Sequence, residues 1–273
     1  MVNVPVEFQP RMPFMYPADN CLEFEFWYYT MANSDPERED KRVYLPVMWT
    51  AYYVRNGIDK KFIDNTFAYN ALQQWLNGLP TDTQYYTIVQ HDDGIVHNLS
   101  HLDIKVFSTG GGKYDHAIPL LSWPHEWQFP TAKKTILASF VGQITHPVRQ
   151  EIVNRYGLRN DKLMLSTKKM PLKEYCQILA ISKYVLCPRG YGPTSFRIQE
   201  AVQYGAIPVY ISDIFIEPYG TPFENYGVKI SDVMLDSIDL PEYLSGLPYV
   251  ENMHLYTDSF IYSRCKAYIQ TKI

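Results

Sequence analysis

Residues 183–213, KYVLCPRGYGPTSFRIQEAVQYGAIPVYISD, set an apolar strand, a glycine-rich loop, a helix, a tight turn and a second apolar strand in direct succession. Tyr184 to Cys187 form the first strand, which Pro188 ends, and Arg189-Gly-Tyr-Gly-Pro193 is a loop whose two glycines permit close backbone approach. The pattern predicts a helix over Ser195–Tyr204, a stop at Gly205 and a strand over Ile207–Ile211. A chain built this way folds as a parallel α/β layer structure and little else.

The polar residues of this stretch fall where a diphosphate would sit. A helix that opens at such a loop turns its free N–H groups and positive dipole end outward, towards an anion. Arg189 and Arg197 flank that end and can clamp phosphate oxygens through paired guanidinium donors. Gly190 and Gly192 admit the ligand, while Thr194 and Ser195 either cap the helix or donate to phosphate. Glu200 shares a helix face with Arg197 and lies one turn further on, a position suited to accepting hydrogen bonds from ribose hydroxyls. The competing reading is a plain Arg197–Glu200 ion pair on a solvated face.

The same residues resemble the signature of the exostosin family of glycosyltransferases: Cys187-Pro-Arg-Gly190, then Ser195-Phe-Arg-Ile-Gln-Glu-Ala201, then Gly205-Ala-Ile-Pro-Val209. Shorter similarities are Tyr44-Leu-Pro-Val-Met-Trp49, His91-Asp-Asp-Gly94, Asp115-His-Ala-Ile-Pro119, and Phe140-Val-Gly142 with Arg149, so the resemblance spans about residues 40 to 215. It implies a GT-B arrangement of two Rossmann-like domains facing a cleft, and inverting, single-displacement transfer from a nucleotide sugar. It also makes Arg149, in the first turn of a second helix, a further candidate diphosphate contact.

Along the chain, strands are expected over Val43–Trp49 (with Pro46 inside it), Tyr85–Gln90, Asp103–Phe107, Thr135–Val141 and Lys162–Ser166. Helices are expected over Asp64–Leu76, with Phe67, Ala71 and Trp75 on the apolar face, and over Pro147–Tyr156, Leu172–Ile181 and Tyr256–Lys272. Trp123–Pro130 carries two prolines and no period, and is taken as a linker. The expected organisation is an acceptor-side domain over 1–125, a nucleotide-sugar domain over 131–250, and a C-terminal helix over 251–273 that crosses back to the first. Binding beyond the carboxyl ends of parallel strands assigns His91-Asp-Asp-Gly94 to one wall of the cleft and Arg189–Glu200 to the other.

Composition narrows the partners. Of 273 residues, 46% are hydrophobic and 20% charged, as in ordinary folded enzymes, and the 23 tyrosines suit carbohydrate surfaces. A net charge of −4 and a pI near 6.0 argue against nucleic acid as partner. Cys21, Cys176, Cys187 and Cys265 lack metal-ligand spacing, and Cys187 reads as packing. No apolar run reaches membrane-spanning length and the N-terminus lacks signal-peptide character, so the expectation is a cytoplasmic protein without membrane insertion. Cellular exostosins are typically Golgi-anchored, so the expectation is either an excised catalytic part or a naturally soluble member. The soluble, compact form resembles exostosin-related enzymes encoded by large algal viruses, which implies xylose as the sugar and glycoprotein glycans as acceptors.

Asp92 is the first candidate for the base that deprotonates the acceptor hydroxyl, Asp93 the second, with His91 orienting or substituting. A strand-end turn in which aspartates bind backbone amides is the structural alternative. There is no Asp-x-Asp motif, so no metal cofactor is expected; arginines and a helix dipole would neutralise a UDP leaving group. Two other functions stay open: a catalytically inactive nucleotide-sugar or glycan-binding protein, and a two-domain phosphosugar enzyme.

Overall fold

A computed structural model describes residues 1–9, 24–34, 41–109, 116–120, 125–130, 132–157, 162–216, 222–249 and 258–273. Cys21, the glycine run at 110–112, Asp115 and most of the charge run at 34–42 lie outside these residues. The chain divides into two compact units, Met1–Leu121 with Cys265–Ile273, and Ser122–Arg264. The expectation of an α/β chain with two parallel sheets is met.

In the first unit the strands β1 (Val43–Tyr44), β2 (Gln84–Val89), β3 (Asp103–Ser108) and β4 (His116–Ala117) lie in that order, all parallel. Helices α1 (Phe24–Asn33), α2 (Trp49–Asn56) and α3 (Thr66–Asn77) complete it. The core gathers Leu45, Trp49, Tyr53, Leu72, Leu76 and Tyr85, all nearly inaccessible. The expected strand over Val43–Trp49 is only two residues long. Proline at 46 offers no N–H to a ladder, and from Trp49 the chain turns helical. The buried Glu25 carboxylate of α1 receives the Thr50 N–H and hydroxyl at the start of α2 and the Gln90 N–H after β2. Such a long-range cap is invisible to local spacing.

A second expectation fails on α3. Its buried face is Ala68, Leu72 and Leu76, whereas Phe67 is 85% exposed. Trp75 and Ala71 reach the core only at its margin. Asn65 caps the helix by accepting the Ala68 N–H, which fixes its start two residues later than expected. The buried stripe lies one position round because Leu72 and Leu76 are the residues that meet the core.

Between α2 and α3 a buried His97 ring is stacked by Tyr53 and Tyr69, at centroid distances of 5.5 and 4.2 Å. Its Nδ1 meets the Tyr53 hydroxyl at 2.8 Å, and its Nε2 faces the Tyr69 carbonyl at 3.0 Å, so Nε2 carries the proton. Burial pushes the imidazole down to about 4, from 6.5. A depressed folded value means that the unfolded chain takes the proton first. Stability is therefore full above about pH 6.5 and falls as pH drops towards 4, by up to about 3 kcal/mol. In urea titrations between pH 7 and 4, His97→Gln should show a flatter stability profile than the wild type. Parallel profiles would remove His97 from the acid response.

The second unit holds β5 (Ile136–Val141), β6 (Leu163–Ser166), β7 (Ser182–Pro188), β8 (Ile207–Ser212) and β9 (Val228–Ser231), all parallel, in the order β6-β5-β7-β8-β9. Helices α4 (Pro147–Tyr156), α5 (Leu172–Ile181), α6 (Arg197–Gln203) and α7 (Leu240–Gly246) connect or follow them. One core joins Phe140, Ile152, Tyr184, Leu186, Val209 and Ile230; a smaller one joins Cys176, Leu179, Cys187 and Ala201. Cys187 is fully buried there, as packing requires. A last helix, α8, spans Asp258–Lys272, and its end packs within the first unit, where Tyr268 stands edge-on to Phe107.

Candidate functional site

In the second unit the strand order reverses between β5 and β7, since the chain passes from β5 to the outer β6 and returns to β7 on the other side. Two loops leave the carboxyl ends of adjacent strands at this point, the place where doubly wound sheets receive ligands. The loop after β5 leads through Gly142 and His146 into α4. The loop after β7 runs from Arg189 to Phe196 into α6.

Arg149 and Arg197 meet between these loops, their guanidinium carbons 5.9 and 5.2 Å from the Phe140 ring centroid. Arg149 is buried and spends three donors on backbone. Nε binds the Arg189 carbonyl (2.9 Å), Nη1 the Gln143 carbonyl (2.9 Å) and Nη2 the Pro188 carbonyl (3.2 Å). It thereby ties the two loops together. Burial, then Arg197 beside it, pushes Arg149 down to about 9, which still leaves it charged at neutral pH. Arg197 uses only Nε, on the Val141 carbonyl at 2.7 Å. Among the described residues neither arginine has a carboxylate in ion-pair contact, and Arg197 Nη1 and Nη2 hold no hydrogen bond.

Two glycines make room for these groups. A Cβ on Gly142 would overlap the Arg197 guanidinium, and one on Gly190 would lie 2.9 Å from Arg149 Nη2 and 3.3 Å from Thr145 Oγ1. Both are needed for close approach rather than for an unusual φ. Gly192 is buried in the same loop. The loop is clamped on β8, where the Tyr210 hydroxyl donates to the Pro193 carbonyl at 2.8 Å.

Arg189 pairs with Asp213 at the end of β8 and donates to the Tyr191 carbonyl. Asp213 lies below the usual carboxylate range, because Arg189 outweighs the opposing effect of burial. His146 caps α4 by accepting the Val148 N–H, and burial and then Arg189 lower its pKa. The helix expected from Ser195 begins instead at Arg197, and its N-cap position, Phe196, offers no side-chain acceptor. Ser195 Oγ accepts the N–H of Arg197, the first helical residue, at 3.4 Å, a long cap from outside the N-cap position, and Thr194 stands in the preceding bend.

Glu200 is not ion-paired to Arg197. Its Oε2 accepts from the Tyr175 hydroxyl at 2.5 Å, and its Oε1 lies 3.4 Å from His125 Nε2. Burial alone would raise this carboxyl. His125, Arg197 and Tyr175 together outweigh that and hold it below the ordinary value. The segment 125–130, read as a linker, packs into this unit: the Trp127 carbonyl accepts from Tyr204, and Phe129 joins the smaller core. Lacking period, it looked free; its anchors lie about 50 to 75 residues away, too distant for any local pattern.

In the first unit, His91-Asp-Asp-Gly94 forms a turn at the carboxyl end of β2, closed by the Gly94 N–H on the His91 carbonyl (2.8 Å), with Gly94 at φ 68°. His91 is buried edge-on against Tyr53, and its Nδ1 faces the Asp93 N–H at 3.3 Å. Burial lowers its pKa, opposed by Asp93 and Asp59. Asp93 Oδ2 accepts the Lys60 N–H at 3.1 Å. Asp92 and Asp93 are half-buried. Spacing did not mark Glu25, His125, His146 or Tyr175; His146 is placed locally as the cap of α4, and the other three reach their sites through tertiary packing. Among the described residues no group of three or more His, Cys, Asp or Glu is placed to hold a metal ion, and no helix is long and apolar enough to cross a membrane.

The Exostosin GT47 domain matches residues 66–232, and the chain belongs to that family. Similar curated proteins include the probable glucuronosyltransferase Os03g0107900 of Oryza sativa subsp. japonica, 36% identical over 100 residues that cover 32% of this chain and 23% of the relative. Another is the probable beta-1,4-xylosyltransferase IRX10 of Arabidopsis thaliana, 38% identical over 58 residues, 20% of this chain and 14% of the relative. The chain thus matches only a minor part of such relatives' length. Among solved structures, the GtfA/B complex aligns with a TM-score of 0.39 at 12% identity, covering 77% of this chain and 61% of that one.

Proposed function

From that family membership we propose that the chain is an inverting glycosyltransferase of GT-B type. It moves a UDP-linked sugar, xylose as first choice, onto a glycan hydroxyl in the synthesis of a protein-linked glycan. The observation that carries this reading is the Arg149–Arg197 pair over Phe140: two guanidinium groups share one ring at a topological switch point with no carboxylate in ion-pair contact among the described residues. Like charges held together in that way favour an anion between the loops.

In this reading Arg197 offers its outer nitrogens to the diphosphate, Arg149 holds the loops and adds charge, and Arg189 joins by exchanging Asp213 for phosphate. Gly190, Gly192, Thr194 and Ser195 line the approach. Glu200 accepts from the ribose. Transfer needs a stabilised leaving group and a base: the arginines supply the first without a metal ion, and Asp92 the second, with Asp93 and His91 shaping its turn. The two relatives are named for glucuronosyl and xylosyl transfer, which supports glycosyl transfer while differing on the sugar.

Thermal melts with UDP, GDP, UDP-xylose and UDP-glucuronic acid, in EDTA and then with manganese, test this directly. UDP and one UDP-sugar should stabilise the protein in EDTA; no shift with any nucleotide would overturn the reading. Asp92→Asn should then lower transfer by about 10²- to 10⁴-fold while keeping the UDP shift. Undiminished turnover would move the base to Asp93, and a wild type that binds UDP but never transfers would favour a nucleotide-sugar-binding protein.

A further inference from the structure

Glu200 sits one turn beyond Arg197 on α6, and its surroundings are more elaborate than a surface carboxylate needs. Tyr175 comes from α5 and His125 from the segment ahead of β5, 25 and 75 residues away in sequence. The two rings meet edge to face at 6.2 Å, and His125 also lies against Tyr204 at 5.9 Å. The segment that brings His125 is itself tethered. Tyr204 donates to the Trp127 carbonyl at 2.6 Å, Gln128 Nε2 to the His125 carbonyl at 2.7 Å, and Lys173 Nζ stands 4.6 Å from the Trp127 ring centroid.

Among the described residues the carboxylate so held caps no helix and is in ion-pair contact with no arginine. One oxygen takes the Tyr175 hydroxyl and the other faces His125, which restricts rotation about the last side-chain torsion while leaving further lone pairs for an incoming hydroxyl. A mobile glutamate would lose rotamer entropy on binding; one held by a tyrosine hydroxyl and walled by a buried imidazole has lost much of it already.

We propose that Tyr175 and His125 are positioning residues that fix the Glu200 carboxylate against the ribose hydroxyls, so that they set the preference for ribonucleotides over deoxyribonucleotides. The inference rests on the donor-site reading above. Its readout is a ratio, which loss of folding or general weakening does not move.

Affinities for UDP, 2′-deoxy-UDP, 3′-deoxy-UDP and UMP would be measured by calorimetry on the wild type, Tyr175→Phe and His125→Gln, each checked for folding by thermal melt. The wild type should prefer UDP over at least one deoxy analogue by about tenfold or more, as a lost hydrogen bond to a buried carboxylate demands. Both variants should compress that ratio to about threefold or less, with the UDP-to-UMP ratio, which reports the arginine site, unchanged. Variants that keep the wild-type ribose ratio would overturn the inference and leave the donor site intact. Compression of the UDP-to-UMP ratio as well would mean that the arginine site is disturbed too, and also count against it. A wild type indifferent to both deoxy analogues would remove Glu200 from the ribose, and the inference with it. Should one variant not fold, the other decides.

Discussion

Arg149→Met should destabilise the second unit by about 3 kcal/mol, a loss read as a lower urea midpoint at unchanged m-value. Methionine keeps much of the side-chain volume but donates nothing, so the carbonyls of Gln143, Pro188 and Arg189 lose their partner together. Each orphaned acceptor costs about 1 kcal/mol or more. Against this stands the relief from burying a cation beside Arg197, which the lowered Arg149 pKa registers. The three hydrogen bonds win because a buried group released from one partner exposes several at once. UDP affinity should fall as well, since the loops after β5 and β7 lose their common tie. A variant as stable as the wild type would show that these carbonyls find water or another donor at no cost.

Arg197→Ala should do the reverse. It removes one hydrogen bond, to the Val141 carbonyl, and a cation–π contact with Phe140 that is worth about 0.5–1 kcal/mol at a partly exposed site. Stability should therefore drop by only about 1–2 kcal/mol. Binding should suffer far more, with UDP affinity falling about 10- to 100-fold, because in the proposed donor site the outer guanidinium nitrogens are those offered to the diphosphate. Arg197→Lys should recover part of the charge but not the paired geometry, and so fall between. The idea would sink if Arg197→Ala bound UDP like the wild type while melting much lower. Two arginines over one ring would then both be structural.

The contrast between these neighbours shows where sequence reasoning stops. Both were marked as candidate phosphate ligands, from loop context and from resemblance. Nothing in the sequence distinguishes them, because the carbonyls that occupy Arg149 belong to residues 143, 188 and 189, brought together only by the pairing of β5 with β7. Glu200 was likewise marked as a ribose contact on the helix face of Arg197, with an Arg197–Glu200 ion pair as the competing reading. The structure supplies Tyr175 and His125 instead. The segment holding His125 was read as a linker because aperiodic, proline-containing chain gives no local sign of what it packs against.

What the sequence by itself determined is the alternation of strands and helices in the second unit, including helices at Pro147–Tyr156 and Leu172–Ile181 and the Gly205 turn at φ 63°. These rest on local physics: apolar period, proline in a first turn, glycine where φ is positive. The strand order, the seat of Arg149, the late start of α6 and the brevity of β1 were decided by tertiary structure alone. Each depends on which distant carbonyls and carboxylates come within hydrogen-bond reach. That distance is set by how the sheet is assembled, and not by any interval along the chain.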